Sequence, residues 1–276
     1  MRRFSALVLV IVLACAGCTS SPDSTSKQKP TPTPTASTDG TMSLASLDIG
    51  WPRMGGTLAV PERPATPDGF DDAQLARMAS TLTTWAEIGA ANPDVWHGKD
   101  AAAQVAAALP TSVASTLGKL VKGSVTPQLD WANVFAPNVA VVGKPAIASA
   151  WKQTTVKDKK GRTYAMLELQ TRAAYEVRVD DGPVRVIGLL REHGLSAYPD
   201  TKSDFGVSYG WQEYGAGNCT AVLDDDLVPD NDPADAVEDL AAFIEVGNGE
   251  KVVVPKLADD EKVSPDYLQR CREGSV

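Results

Sequence analysis

The sequence predicts an α+β fold: N-terminal helices packed on a bent antiparallel sheet, then an acidic helical extension tethered by a disulfide. Three features lead there. Between Asp71 and Val121 apolar residues recur at three- and four-residue steps, the period of a half-buried helix. After Pro137 the period drops to two, the signature of a strand. Beyond Gly215 the charge turns negative. Residues 219–276 hold 15 acids against 5 bases, in a chain of 276 residues with 26 Lys+Arg, 35 Asp+Glu and a net charge of −9. Helices first and successive strands after them make an α+β order.

Residues 42–70 read as loop, punctuated by Pro52, Gly55-Gly56, Pro61, Pro64 and Pro67. Trp51, Leu58 and Val60 could lie across a core from there. A helix begins at Asp71-Asp72, where acids suit the positive end of its dipole. Leu75, Met78, Leu82 and Trp85 form its stripe, with Ala79 and Ala86, and Asn92-Pro93 closes it. An alanine-rich helix from about Lys99 to Leu109 stops at Pro110, and Thr111 or Ser112 caps a third carrying Val113, Leu117, Leu120 and Val121.

The clearest strand is RTYAMLELQTRAAYEVRV. Ala165, Leu167, Leu169, Thr171, Ala173, Tyr175, Val177 and Val179 share its inner face. Tyr164, Met166, Glu168, Gln170, Arg172, Ala174, Glu176 and Arg178 share the outer one. A strand of that length usually bends or carries a bulge. Ala146 to Val156 is its partner across the turn KDKKG. Asp181-Gly182 turns the chain into VRVIGLLREH, and a further strand alternates Phe205, Val207, Tyr209 and Trp211 with small residues. Short turns between strands make the sheet antiparallel.

In the tail, Asp232-Pro233 starts a helix over 234–246 with Gly247 past its end, the usual asymmetry. Lys251 to Val254 reads as a short strand, and Ser264-Pro265 starts a last helix.

The N-terminus sets the expected location. Arg2 and Arg3 precede an apolar run, Phe4 to Ala14, long enough for a secretory signal and too short to span a bilayer. Ala16 and Gly17 then lead to Cys18. This junction resembles the lipobox of a bacterial lipoprotein signal, with Cys15 standing where leucine is usual. The resemblance implies cleavage after residue 17 and a lipid on Cys18. From Thr19 to about Thr41 the chain is rich in Ser, Thr and Pro, a composition that cannot repay ordering. Its TPTPT run keeps it extended, at about 3 Å per residue in polyproline II geometry. The chain thus divides into a signal (1–17), a lipidated tether (18–44), an α+β domain (45–218) and an acidic extension (219–276) packed on that domain.

With Cys15 removed and Cys18 acylated, Cys219 and Cys271 remain. Outside the cytoplasm two cysteines most simply form one disulfide. By the loop-entropy model, closing about fifty residues stabilises the fold by roughly 4 kcal/mol.

The order of elements over residues 70 to about 215 resembles the nuclear-transport-factor-2-like, or cystatin-like, superfamily, a cone of helices on a strongly bent sheet. The resemblance implies either small cyclases and isomerases or envelope proteins of actinobacteria and conjugation-type systems that only bind or scaffold. The signal, the TPTPT linker and the Ala/Val/Asp-rich composition also look like lipoproteins of high-GC Gram-positive bacteria.

Enzymes on this cone place an acid–base group on the inward face, where burial tunes it. Here that face offers Thr171 and Tyr175, whose phenol reads as bonded to backbone. His193 reads as a polar rim residue at a strand end, on one face with Arg185, Ile187, Leu189 and Arg191; His97 sits in a loop between helices. Ser149 and Lys152 match SxxK, but on a strand, where they cannot share a face. The acids of DNDPAD lack the glycine and distal glutamate of a calcium loop. No basic stripe serves nucleic acid. No catalytic residue, metal ligand or cofactor is assigned. Tyr209, Trp211 and Tyr214 crowd beside Phe205, and with His193 and Tyr175 they are the candidate binding surface, exposed aromatics being the mark of one.

The expected protein is a membrane-anchored lipoprotein on the extracytoplasmic face. Its membrane contact is the lipid on Cys18, with an envelope protein as a further partner, and its role is non-enzymatic binding or scaffolding. A cyclase or isomerase using Tyr175 or His193 is the alternative. A solute-binding lipoprotein is the second, disfavoured because two-lobed binding proteins alternate strands and helices.

Overall fold

Helix α1 (Asp72–Ala86) begins where Asp71 accepts a hydrogen bond from the Ala73 amide, and its stripe of Leu75, Met78, Leu82 and Trp85 is fully buried. The computed structural model describes residues 36–37, 40–47, 58–98, 100–230, 232–248 and 265–273. They belong to one compact unit spanning residues 31–276. Cys18 and the 251–254 strand lie outside the described residues, as does Trp51.

Past α1 the helix widens into one π turn, Glu87–Ala91, before Asn92 caps the short α2 (Pro93–Trp96) by accepting from the Asp94 amide at 3.1 Å. Such turns reorient carbonyls for other partners. The Gly89 carbonyl accepts the Asn133 amide at 2.7 Å, and a side chain at Gly89 would meet the Trp131 carbonyl at 3.1 Å. Helices α3 (Ala101–Ala108) and α4 (Thr111–Leu120) follow. The expected cap at Thr111 or Ser112 is absent. Pro110 occupies the cap position, and Ser112 Oγ instead donates to the Ser203 carbonyl at 3.0 Å.

The sheet has five antiparallel strands: β1 (Val139–Val141), β2 (Ala146–Lys157), β3 (Thr163–Val179), β4 (Val184–Ala197) and β5 (Gly206–Tyr214). It is open, in the order β1-β3-β4-β5, and β2 pairs with β3 on the edge that β1 also uses. β3 is long but carries no bulge: its register is unbroken against β2 and β4. Asp158 shapes the β2–β3 turn by accepting the Lys160 and Arg162 amides at 2.8 and 2.9 Å.

The front face of the sheet meets α1 to α4 in the main core, where Leu167, Leu169, Tyr175, Ile187, Leu189 and Leu195 are buried. The back face of β3 carries Glu168, Gln170, Arg172, Glu176 and Arg178 beside Tyr164, Met166 and Ala174. Half of it is covered, because two distant segments pack there. A 3-10 turn (Leu44–Leu47) and α6 (Pro233–Asn248) close a second core with Ala146, Ala174, Val186, Leu190 and Tyr214. α6 approaches so closely that a side chain at Gly188 would fall 2.7 Å from the Phe243 ring. Asp232 starts α6 by accepting from the Ala234 amide at 2.8 Å.

Two short helices complete the acidic region: α5 (Asn218–Asp224), unforeseen in the sequence, and α7 (Pro265–Glu273). The expected disulfide joins them, Cys219 to Cys271, with Cα atoms 5.2 Å apart.

Candidate functional site

The polar groups nearest to a site lie on the front face, under the loop 126–135. Alternation along β4 turns Arg191 inward with Ile187 and Leu189, and its side chain is 1% exposed. Its Nη2 donates to the Leu129 and Ala132 carbonyls, both at 2.6 Å, and its Nε donates to Asn133 Oδ1. The guanidinium thus holds a loop about sixty positions away against the sheet. Burial lowers its pKa to about 10, so it stays charged at neutral pH. The Trp211 ring lies 5.8 Å from Arg191 Cζ and donates its indole N–H to Asp130 at 3.0 Å.

Tyr175 is fully buried on the same face. Its hydroxyl donates to the Ala90 carbonyl, at the end of the helix where carbonyls lack an intrahelical partner, and accepts from Asn133 Nδ2 at 2.7 Å. Burial raises its pKa well above the usual tyrosine range. The phenol is satisfied by backbone, as the sequence reading had it.

His193 is not the rim residue expected from the sequence. β4 runs four residues further, to Ala197, so His193 sits within the ladder between Leu169 and Tyr209. It is 1% exposed and stacks on Trp85 with ring centroids 4.3 Å apart. Neither ring nitrogen has a hydrogen-bond partner. Burial, and next the charge of Arg191, hold its pKa well below the ordinary value.

The candidate aromatics divide between the faces. Tyr209 and Trp211 lie on the front with Tyr175 and His193, whereas Tyr214 packs on the back, 5.3 Å from the Phe243 ring. Trp211 and Tyr214 are buried and Tyr209 is half-buried; burial, reinforced by Asp130, pushes the Tyr209 phenol up to about 12. The front cluster is a filled interior: Tyr175, Thr171, Arg191 and His193 are each 0–1% exposed, and the polar bonds of Tyr175 and Arg191 run to Asn133 and to backbone carbonyls. Asn133, Asp130 and the loop carbonyls escaped the sequence reading, because LDWANVF has no period. The inward place of Arg191 was written in the alternation of β4.

A second constellation lies on the open half of the back face. Lys152 Nζ is 2.7 Å from Glu168 and 3.7 Å from Glu192, and Gln170 donates to Glu192 at 2.7 Å. Burial raises the Glu168 pKa, and the bond to Glu168 raises that of Lys152. Beside them Gly206 and Ser208 are exposed, while Ser196 and Gly210 are half-buried. Ser149 and Lys152 point to opposite faces of β2, the first to the Ala59 carbonyl and the second to Glu168. Among the described residues no three metal-binding side chains come together, and no helix is long and apolar enough to cross a membrane.

No family model, curated protein or solved structure matches the chain in comparison with known proteins.

Proposed function

We propose that the protein is a lipid-anchored lipoprotein of the extracytoplasmic face of the cell membrane, which binds or scaffolds other envelope components and runs no reaction of its own. The observation that carries this reading is the filled front face. The groups that a cyclase or isomerase would need in a pocket, Tyr175 and His193, are closed in the core. Tyr175 is bonded to Asn133 and to a backbone carbonyl, and His193 is stacked on an indole. A general acid or base must come within hydrogen-bond reach of the reacting atoms. Groups so enclosed serve the architecture.

The anchor rests on the sequence Ala16-Gly17-Cys18 and the proline-rich stretch behind it. On that stalk the folded unit stands off the bilayer, where its outer faces can meet a partner. The disulfide between Cys219 and Cys271 accords with an oxidising compartment.

The test is metabolic labelling with palmitate of the full chain and of Cys18→Ser. Label in the first, none in the second, and loss of the variant from the membrane fraction are the expected results. An unlabelled chain, whose membrane retention the substitution leaves unchanged, overturns the proposal.

A further inference from the structure

The segment 58–70 forms neither helix nor strand, yet it is fastened to β2 in a regular way. Ser149, Trp151 and Gln153 alternate along β2 and share its front face. Ser149 Oγ donates to the Ala59 carbonyl, Trp151 Nε1 to the Pro61 carbonyl and Gln153 Nε2 to the Ala65 carbonyl, each at 2.8 Å. Three successive front-face side chains of an edge strand therefore read the main chain of one passing segment. That segment carries prolines at 61, 64 and 67, every third residue, which is the period of a polyproline II helix. An indole N–H given to a carbonyl of a proline-rich strand is the physics of polyproline recognition. The ligand is already extended, so little entropy is lost, and its carbonyls have no internal partner.

The fit is good at one end and poor at the other. Two residues of polyproline II advance about 6.2 Å, and two residues of strand about 6.7 Å, so Ala59 and Pro61 run in step with Ser149 and Trp151. Between Pro61 and Ala65 the segment uses four residues where β2 uses two. There Gln153 Oε1 is buried without a hydrogen-bond partner. The segment is also shallow: Leu58 is buried, but Ala59, Pro61, Glu62 and Ala65 are exposed. Its far end is held mainly by Asp72, which accepts from Arg63 Nη2 and Thr66 Oγ1.

We propose that Ser149, Trp151 and Gln153 form a reading site for extended proline-rich segments, which the chain fills with its own residues 58–67 and yields to such a segment of a partner protein. A segment that keeps step with β2 and offers Gln153 Oε1 a donor makes a bond that the resident one lacks. The proposal deepens the binding reading above, and it is independent of the lipid.

The test uses the full chain in detergent and a fluorescent peptide of residues 57–70, with binding read by polarisation. Asp72→Ala loosens the resident segment without touching the three reading side chains. It is expected to tighten peptide binding about tenfold and to raise the quenching of Trp151, assigned by comparison with Trp151→Phe. Adding Trp151→Phe to Asp72→Ala keeps the ring and removes the N–H, and is expected to weaken binding about fivefold.

Several outcomes overturn the proposal. One is no binding when quenching shows the segment displaced. Another is no displacement at all, which makes residues 58–67 a fixed part of the fold. A third is equal binding by a peptide of the same composition with its prolines made consecutive. Concentration-dependent dimerisation of Asp72→Ala without peptide gives the site to a second copy instead of a partner. Lipidation enters none of these readouts, so failure here leaves the anchor untouched, and the reverse holds too.

Discussion

The two faces of the sheet are sealed by opposite means. The front is closed by local succession: α1 to α4 precede the strands and lay one continuous apolar core on them, into which Arg191 alone of the cations among the described residues is drawn. That cation is answered by uncharged oxygens of Leu129, Ala132 and Asn133. The back is closed from afar, by the 3-10 turn at 44–47 and by α6, and only over half its length. On the other half a half-exposed Lys152 pairs with Glu168, which is itself buried. Covering a face thus depends on which segments return to it, more than on the side chains that the face presents. Both faces of β3 alternate with the same period.

The contrast can be broken most sharply at Arg191. Arg191→Ala strands three acceptors in a dry interior, each costing about 1–3 kcal/mol. Chemical denaturation is expected to show a loss of about 4 kcal/mol, and an equal loss with Arg191→Lys would mean that the forked geometry matters as much as the charge. On the back face, Leu240→Ala removes a fully buried side chain from α6. The expected loss is about 3 kcal/mol, with the cysteine bridge intact by mass. A loss below about 1 kcal/mol would mean that α6 merely rests on the sheet.

The smallest effect is a pH slope. His193 is held neutral in the folded protein, its pKa far below the ordinary 6.5. Above 6.5 neither state binds the proton, so stability does not change with pH through this group. Below 6.5 the unfolded chain takes up the proton and the folded one does not, so stability falls as pH falls. The slope approaches about 1.4 kcal/mol per pH unit. His193→Phe keeps a ring on Trp85 and is expected to flatten that slope between pH 6 and 5 in urea titrations, roughly the window this linkage sets. An unchanged slope would locate the acid sensitivity elsewhere.

Much of this architecture was legible. The sixteen-residue alternation of β3 and the stripe of α1 are strong periodic signals, and the disulfide followed once two cysteines were assigned to the N-terminus. What escaped was the return of chain from a distance. Alternation placed Ala174 on the outer face, but nothing local says that Leu44 and Phe243 come back to cover it. His193 looked terminal because Gly194 follows it, and glycine often ends a strand. Here Gly194 sits inside β4, where an added side chain would strike Ser208 Oγ at 2.2 Å, so the glycine answers a close neighbour. Residues 58–70 read only as loop, with Leu58 and Val60 as possible core contacts, since a polyproline segment carries its information in carbonyls, which every sequence has.

The bridge between Cys219 and Cys271 gives the acidic region an unusual tolerance. A protease that nicks the backbone once at any bond between those positions leaves both fragments attached, since they lie 52 residues apart in one covalent ring. α7 would stay on α5, and the molecule would migrate at full mass until a thiol reagent was added.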